Sequence, residues 1–282
     1  MSNANVRKFK IGLLLNGPYT RWPVCELVEW AQNQPNIEMS HLLMYSNKPQ
    51  SQGIIRRMLR SFMRDGWNRT VSTVLFRLIL CVEKQILKRY KIYQNYRNVI
   101  DLRLSIKKHI TIEAIKSGYV YQFSANDIRR IKELELDLLI KYGSEILTGD
   151  ILSSARHGVI SLRYGDDRLI RGGPAGFWEC YYRWPKTGFA IQRLTQELDG
   201  GDVLVRGYFR TQLYFLVNQA HLCKKANPHL FELIKNIFIY GHSPETKPSF
   251  CYSGPVYKAP NVCQSIVYGA KLSFRKFMEN FF

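Results

Sequence analysis

At 282 residues, 46% hydrophobic and 22% charged, the chain has the composition of a soluble globular protein with material for one large domain or a domain with an appendage. Its cysteines (Cys25, Cys81, Cys180, Cys223, Cys251, Cys263) form no C-x-x-C pair and its histidines no H-x-x-x-H, so no metal site is expected and reduced thiols in a cytoplasmic protein are. The formal net charge of +19 favours an anionic partner, whether nucleic acid, an anionic membrane surface or a phosphorylated substrate, although a basic soluble protein fits the charge equally.

The polar stretch Met1–Lys10 leads into a strand rather than an apolar signal segment. Lys10–Gly17 reads as a buried strand ending in a turn, Val24–Trp30 after Pro23 as a helix, and Met39–Tyr45 as a second strand. This β-α-β start suits a Rossmann-like nucleotide or folate domain, and it lacks the G-x-G-x-x-G of a dinucleotide site.

Residues 54–108 carry fourteen Lys or Arg against three Asp or Glu. Within them Leu75, Ile79, Val82, Ile86 and Leu87 recur at helical spacing, with Arg77, Lys84, Lys88 and Arg89 on other faces. A basic amphipathic helix of this kind suits contact with an anionic membrane surface or a phosphate-bearing substrate; it equally suits a helix that covers the core and turns a solvated face outward. Val99–Leu104 reads as a strand, and Ile110–Ala114 begins a short helix. Ser124 is placed to cap a helix over Asn126–Leu134, and Leu136–Ile140 forms a strand whose Asp137 reads as a solubilising charge at its end.

Gly158–Arg206 is the densest cluster of motifs. His157–Leu162 suits a buried parallel strand that stops at the turn Gly165-Asp166-Asp167. Alternation puts Ser161 and Arg163 on one face at its C-terminal end, the edge where open α/β sheets hold ligands. Arg171–Gly176 is a glycine-rich loop in which backbone can approach a ligand, and Leu198–Asp202 sets paired glycines beside a carboxylate. Trp178, Tyr181, Tyr182 and Trp184 suit core packing or stacking on a sugar, and Asp166 and Arg171 suit an ion pair within their loop. Beyond this cluster, Gln219–Phe238 reads as a helix interrupted at Pro228, Tyr240–Pro260 as a loop, and Ser265–Phe282 as a final basic amphipathic helix.

In order, these motifs resemble the formyltransferases that use 10-formyltetrahydrofolate, a family with a strand ending in Asn-x-His, then R-G-x-x-P, T-G-x-x-x-x and L-D-x-G-D. Arg171–Pro174, Thr187–Gln192 and Leu198–Asp202 are similar to the last three, and the interval from Ser161 to Asp199, 199 − 161 = 38, is similar to the family's from asparagine to aspartate. Lys141–Leu147 with Asp150–Leu152 resembles the segment that lines the folate pocket. The resemblance covers residues 134–207, and within the family the chain is similar to a branch reading S-x-H-H-G-D-N…R-G-G-P-x-G-F-W.

The resemblance implies an α/β, Rossmann-like formyltransferase domain with a mostly parallel sheet over residues 1–235, a basic helical insertion at 54–96 and a C-terminal extension at 236–282. It implies Asp199, Arg163 and Ser161 as catalytic residues, Gly143, Ile146, Leu147, Gly200 and Gly201 as contacts to 10-formyltetrahydrofolate, and Arg171, Gly172 and Gly173 as contacts to the acceptor.

Serine and arginine stand where the family has asparagine and histidine. The Ser161 hydroxyl and the Arg163 guanidinium can stabilise an oxyanion, but an arginine, with its pKa above about 12, does not shuttle protons near neutrality. The base is then Asp199, or Asp166 or His157 if the fold brings them close. The expected activity is formyl transfer to a primary amine, with an amino sugar, free or nucleotide-linked, as acceptor. Methionyl-tRNA is less favoured, because the tail is short and irregular for that branch's added barrel. The alternatives are a binding protein of the same fold that has lost catalysis and a membrane-surface or nucleic-acid module built around the insertion.

Overall fold

A computed structural model of the chain describes residues 7–46, 54–197, 201–246 and 255–279. In chain order its elements are β1 (Phe9–Leu15), β2 (Tyr19–Arg21), α1 (Trp22–Gln32), β3 (Ile37–Ser46), α2 (Ile54–Ile86), α3 (Lys91–Arg97), β4 (Val99–Asp101), β5 (His109–Ser117), β6 (Val120–Phe123), α4 (Ala125–Lys132), β7 (Leu138–Lys141) and β8 (Ile146–Leu147). There follow β9 (Val159–Tyr164), β10 (Arg171–Gly172), α5 (Phe177–Tyr182), β11 (Lys186–Arg193), β12 (Asp202–Arg210), α6 (Phe215–Tyr240), β13 (Val256–Tyr257) and α7 (Val262–Glu279).

The frame is a nine-stranded sheet ordered β12-β11-β9-β7-β1-β3-β5-β6-β8. Its centre, β9-β7-β1-β3-β5, is parallel throughout, and the hairpin β11–β12 joins β9 antiparallel. This is a mostly parallel, Rossmann-like α/β fold with helices against the sheet. The central strands are apolar on both faces, as a doubly covered parallel sheet requires: Ile11, Leu13, Leu14, Leu138, Leu139, Ile140, Val159 and Ile160 are fully buried. At Gly12 there is no room for a side chain, since a Cβ would lie 2.5 Å from Leu136 Cδ1.

The strand expected over Val99–Leu104 stops at Asp101, whose carboxylate accepts from Arg103 N and caps a 3-10 turn over Leu102–Leu104, and three other local expectations change. Residues 110–114 extend β5 instead of starting a helix: parallel pairing with β3, Leu42 opposite His109 through Ser46 opposite Glu113, satisfies their backbone, and the β-branched Ile110, Thr111 and Ile112 suit a strand. Helix α6 runs unbroken through Pro228, because Leu222, Ala226, Leu230, Leu233 and Ile237 bury one continuous stripe on both sides of it, and that packing outweighs the lost backbone bond. Asp137 is buried and structural: it accepts from the Lys10 N–H at 2.8 Å and from Arg7 Nη2 at 3.4 Å, tying the start of β7 to β1. As expected, Ser124 caps α4 by accepting from Asp127 N at 3.1 Å.

Helix α2 is fastened into the body by a buried carboxylate. Glu83 accepts from Leu216 N at 2.9 Å and from Tyr268 Oη at 3.2 Å, while Tyr268 Oη accepts from Phe215 N at 2.9 Å. Tyr214 gives α6 no side-chain cap, so α2 and α7 satisfy its first amides from outside. Burial pushes Glu83 up to about 7, against the opposing pull of those donors and of Arg275. Phe76, Phe177, Phe215, Tyr268 and Leu272 complete a second core around this knot, which also takes up Trp178, with Tyr181 and Trp184 packed against it.

Candidate functional site

The C-terminal ends of β7 and β9, with Arg21 of β2 beside them, open into a cleft of about 1060 Å³. In register, Ser161 on β9 lies between Lys141 on β7 and Gln192 on β11, with Arg163 two residues further along the same face, opposite Ala190. Of these five positions all but Ala190 line the cleft.

Lys141 organises one wall. Its buried ammonium donates to the carbonyls of Gly143 at 2.6 Å and Glu145 at 2.5 Å and lies 3.9 Å from Glu145 Oε2, so it draws the segment after β7 into a tight turn. Burial lowers Lys141 to about 8, and the Glu145 carboxylate offsets only part of that effect. Gly143 is obligatory in this turn: its φ is +127°, and a Cβ would lie 2.2 Å from Glu145 Oε2. The turn delivers Gly143, Ile146 and Leu147 to the cleft. Gln196 clamps the same wall through Gly149, accepting from its N–H at 3.2 Å and donating to its carbonyl at 3.3 Å.

The opposite wall is the loop after β9. Arg168 holds Asp166 through hydrogen bonds of 3.1 Å, and Arg206 from β12 holds Asp167 at 2.8 and 2.7 Å. The expected partner of Asp166 within the loop, Arg171, is thus replaced by Arg168, two residues along and able to form a fork. Burial raises the Asp166 pKa, but the hydrogen bonds from Arg168 outweigh it and the carboxyl titrates below its ordinary value. Arg163 Nη2 donates to the Ile170 carbonyl at 3.2 Å, so the arginine at the expected histidine position also braces this loop. Arg171 and Gly172 line the cleft as β10, and β13 holds them: Gly173 N donates to the Tyr257 carbonyl at 3.0 Å, and a Cβ on Gly172 would lie 2.1 Å from the same oxygen. The Gly173-Pro174 peptide is cis.

Of the residues expected at the site, Ser161, Arg163, Gly143, Ile146, Leu147, Arg171, Gly172 and Gly201 line this one cleft, and Gly173 sits beside it in the β10 loop. Asp199 and Gly200 lie outside the described residues. Neither alternative base is at the cleft. His157 stacks on Phe9, ring centroids 5.8 Å apart, at the opposite end of β9, and Asp166 faces a different cavity. Motif reading missed Lys141 as the organiser of the turn, together with Arg21, Tyr96 and Gln192. Arg21 ends β2 and donates to Tyr96 Oη at 2.9 Å; its place in the segment that follows β1 was the available signal. Among the described lining residues Arg21, Lys141, Arg163 and Arg171 face Glu145 and Glu197, an excess of positive charge that suits an anionic ligand.

A smaller cavity of about 370 Å³ lies beyond the loop, walled by Leu169, Ile170, Trp184, Tyr208 and the Asp166–Arg168 pair. Glu179 of α5 lies under it, 2% exposed, with neither carboxylate oxygen hydrogen-bonded, and burial raises it to about 7.

No protein-family model matches the chain, and no curated protein matches its sequence. Its fold is that of solved glycinamide ribonucleotide formyltransferases. A glycinamide ribonucleotide transformylase from Symbiobacterium toebii superposes with a TM-score of 0.51 over 83% of this chain and 89% of its own, at 9% identity. A phosphoribosylglycinamide formyltransferase from Anaplasma phagocytophilum gives 0.52 over 88% and 99%, at 11% identity.

Proposed function

We propose that the protein is an N-formyltransferase that moves a formyl group from 10-formyltetrahydrofolate to a primary amine, with an amino sugar as the acceptor. The observation that carries this reading is the convergence of the β9 end, the Gly143–Leu147 turn and the Arg171–Gly172 loop on one cleft of about 1060 Å³. The turn fits a flat, polar ring system: its backbone is exposed by Gly143, Ile146 and Leu147 supply apolar wall, and the excess of arginine and lysine suits an anionic tail.

In this reading the acceptor nitrogen bonds to the formyl carbon, the bond from that carbon to the donor nitrogen breaks, and the proton lost by the amine ends on the departing nitrogen. The Ser161 hydroxyl and the positive charge of the Arg163 guanidinium stabilise the oxyanion. Asp199 takes and returns the proton or orients a water that does so.

The test is calorimetric titration with a non-transferable 10-formyltetrahydrofolate analogue, followed by a screen of amino-sugar acceptors with wild type and Asp199→Asn. Saturable binding and product formation that falls by at least about 100-fold in Asp199→Asn support the reading; no binding at about millimolar analogue sinks it.

One observation favours a second reading, a binding protein of this fold without turnover: Arg163 spends a hydrogen bond on the Ile170 carbonyl, as a structural brace would. Transfer activity that appears only in Arg163→His, with analogue binding already present in wild type, selects this alternative.

A further inference from the structure

The insertion and the final helix together present an apolar face to the outside. On α2, Trp67, Val71, Val74, Leu78 and Val82 follow one another at steps of four, three, four and four residues, a single stripe along the helix, and Leu78 and Val82 are 59% and 57% exposed. The stripe points away from the core. The inward face of the same helix is Ser72, Phe76, Ile79 and Glu83, of which Phe76, Ile79 and Glu83 pack on α6 and α7. Helix α7 repeats the arrangement, with Ser265, Tyr268, Leu272 and Arg275 inward and Ile266, Phe274 and Phe277 outward, each of the three at least 57% exposed. The two helices lie side by side, joined by the Glu83–Tyr268 hydrogen bond and by Ile79 against Gly269, so the stripes belong to one face.

Among the described side chains, charge around that face has one sign. Across residues 67–89 the only acid is Glu83, which is buried, whereas Arg69, Arg77, Lys84, Lys88 and Arg89 are exposed. Residues 262–277 contain no acid, and Lys276 is exposed at the end of the stripe. Leucine, valine and phenylalanine gain nothing from a phosphate backbone, which argues against nucleic acid. A second copy would bring another chain of charge +19 with the same cations against its own kind. An anionic bilayer surface accepts both features, apolar side chains at the acyl boundary and lysine and arginine among the headgroups. No helix among the described residues is long and apolar enough to cross a membrane, so such contact is interfacial.

We propose that the outer face of α2 and α7 docks the protein on the surface of an anionic membrane. The inference does not depend on formyl transfer, and its test uses no folate. The full chain is sedimented with sucrose-loaded vesicles of phosphatidylcholine containing about 30 mol% phosphatidylglycerol, and with vesicles of phosphatidylcholine alone. Partition onto the anionic vesicles is expected to be at least about tenfold stronger and to fall about tenfold or more in roughly 0.5 M salt. The double variant Leu78→Glu, Phe274→Glu changes two exposed side chains, so it should keep the wild-type melting curve while losing at least about tenfold in partition. Should that variant misfold, brominated lipid gives the answer in folded protein: it is expected to quench wild-type tryptophan fluorescence and to quench Trp67→Phe much less. Equal partition onto both vesicle types, no partition at all, or quenching unchanged in Trp67→Phe overturns the proposal. So does a dimer in sedimentation velocity that Leu78→Glu dissolves, or retention of a single-stranded RNA in preference to vesicles.

Discussion

Replacing Glu179 with glutamine should stabilise the protein, and the gain should depend on pH in a defined way. Glu179 is 2% exposed and its two carboxylate oxygens have no hydrogen-bond partner within 3.5 Å, so burial of its charged form is only weakly offset, by its own backbone amide. Burial raises it from 4.5 to about 7, with the Asp166 charge adding to the effect. A carboxyl whose folded pKa is raised keeps its proton in the folded state between 4.5 and about 7 while the unfolded chain releases it. Stability therefore falls as pH rises through that window and is level above it. At 1.36 kcal/mol per pH unit the window corresponds to about 3 kcal/mol.

Glutamine has nearly the same shape and no charge to desolvate. Glu179→Gln should match wild type below about pH 4.5 and exceed it by about 3 kcal/mol at pH 8, or about 5 °C in melting temperature for a chain of this length. The assay is urea unfolding followed by far-ultraviolet circular dichroism from pH 4.5 to 8.5. Glu83 adds a wild-type slope of the same sign, but it is present in both proteins and drops out of their difference. A difference that stays constant across the range, or a variant less stable at pH 8, refutes the argument.

Glu83→Ala leaves the amide of Leu216 and the hydroxyl of Tyr268 without their acceptor in a buried site, and denaturant titration at pH 7 should record a loss of about 2–4 kcal/mol. Gly143→Ala forces a Cβ against Glu145 at a φ that alanine rarely adopts; unfolding should show a loss of about 1–3 kcal/mol, and calorimetry should show weaker binding of the folate analogue. Asp167→Asn removes one charge from a largely buried, doubly hydrogen-bonded pair with Arg206 and should destabilise the chain by about 3 kcal/mol; Asp101→Asn, in a solvent-screened pair with Arg103, should leave the melting curve essentially unchanged.

Much of the fold was legible in the order of the residues. Apolar runs such as Ile11–Leu15 and Val159–Leu162 are long enough and branched enough to be buried strands wherever they fall, and the spacing of Leu75, Ile79, Val82, Ile86 and Leu87 pointed to a helix, although Val82 of that set faces outward. The site was legible for the same reason: alternation along β9 fixes Ser161 and Arg163 on one face without reference to any other segment. What needed the tertiary structure were the choices that depend on a distant partner. Residues 110–114 are a strand because β3 offers an edge, and α6 runs through Pro228 because one face of the helix is buried in the core both before and after it. Asp137 read as a solubilising charge and no motif marked Glu83 or Glu179; only packing decided that Glu83 caps a helix, Asp137 ties two strands and the Glu179 carboxylate is buried without a partner. Lys141 has its meaning from burial, which turns a surface-type residue into the post around which the cleft wall is wound. Periodicity is a property of neighbours in sequence and can be read from them. Desolvation and hydrogen-bond partners are properties of neighbours in space, which the chain acquires only when it folds.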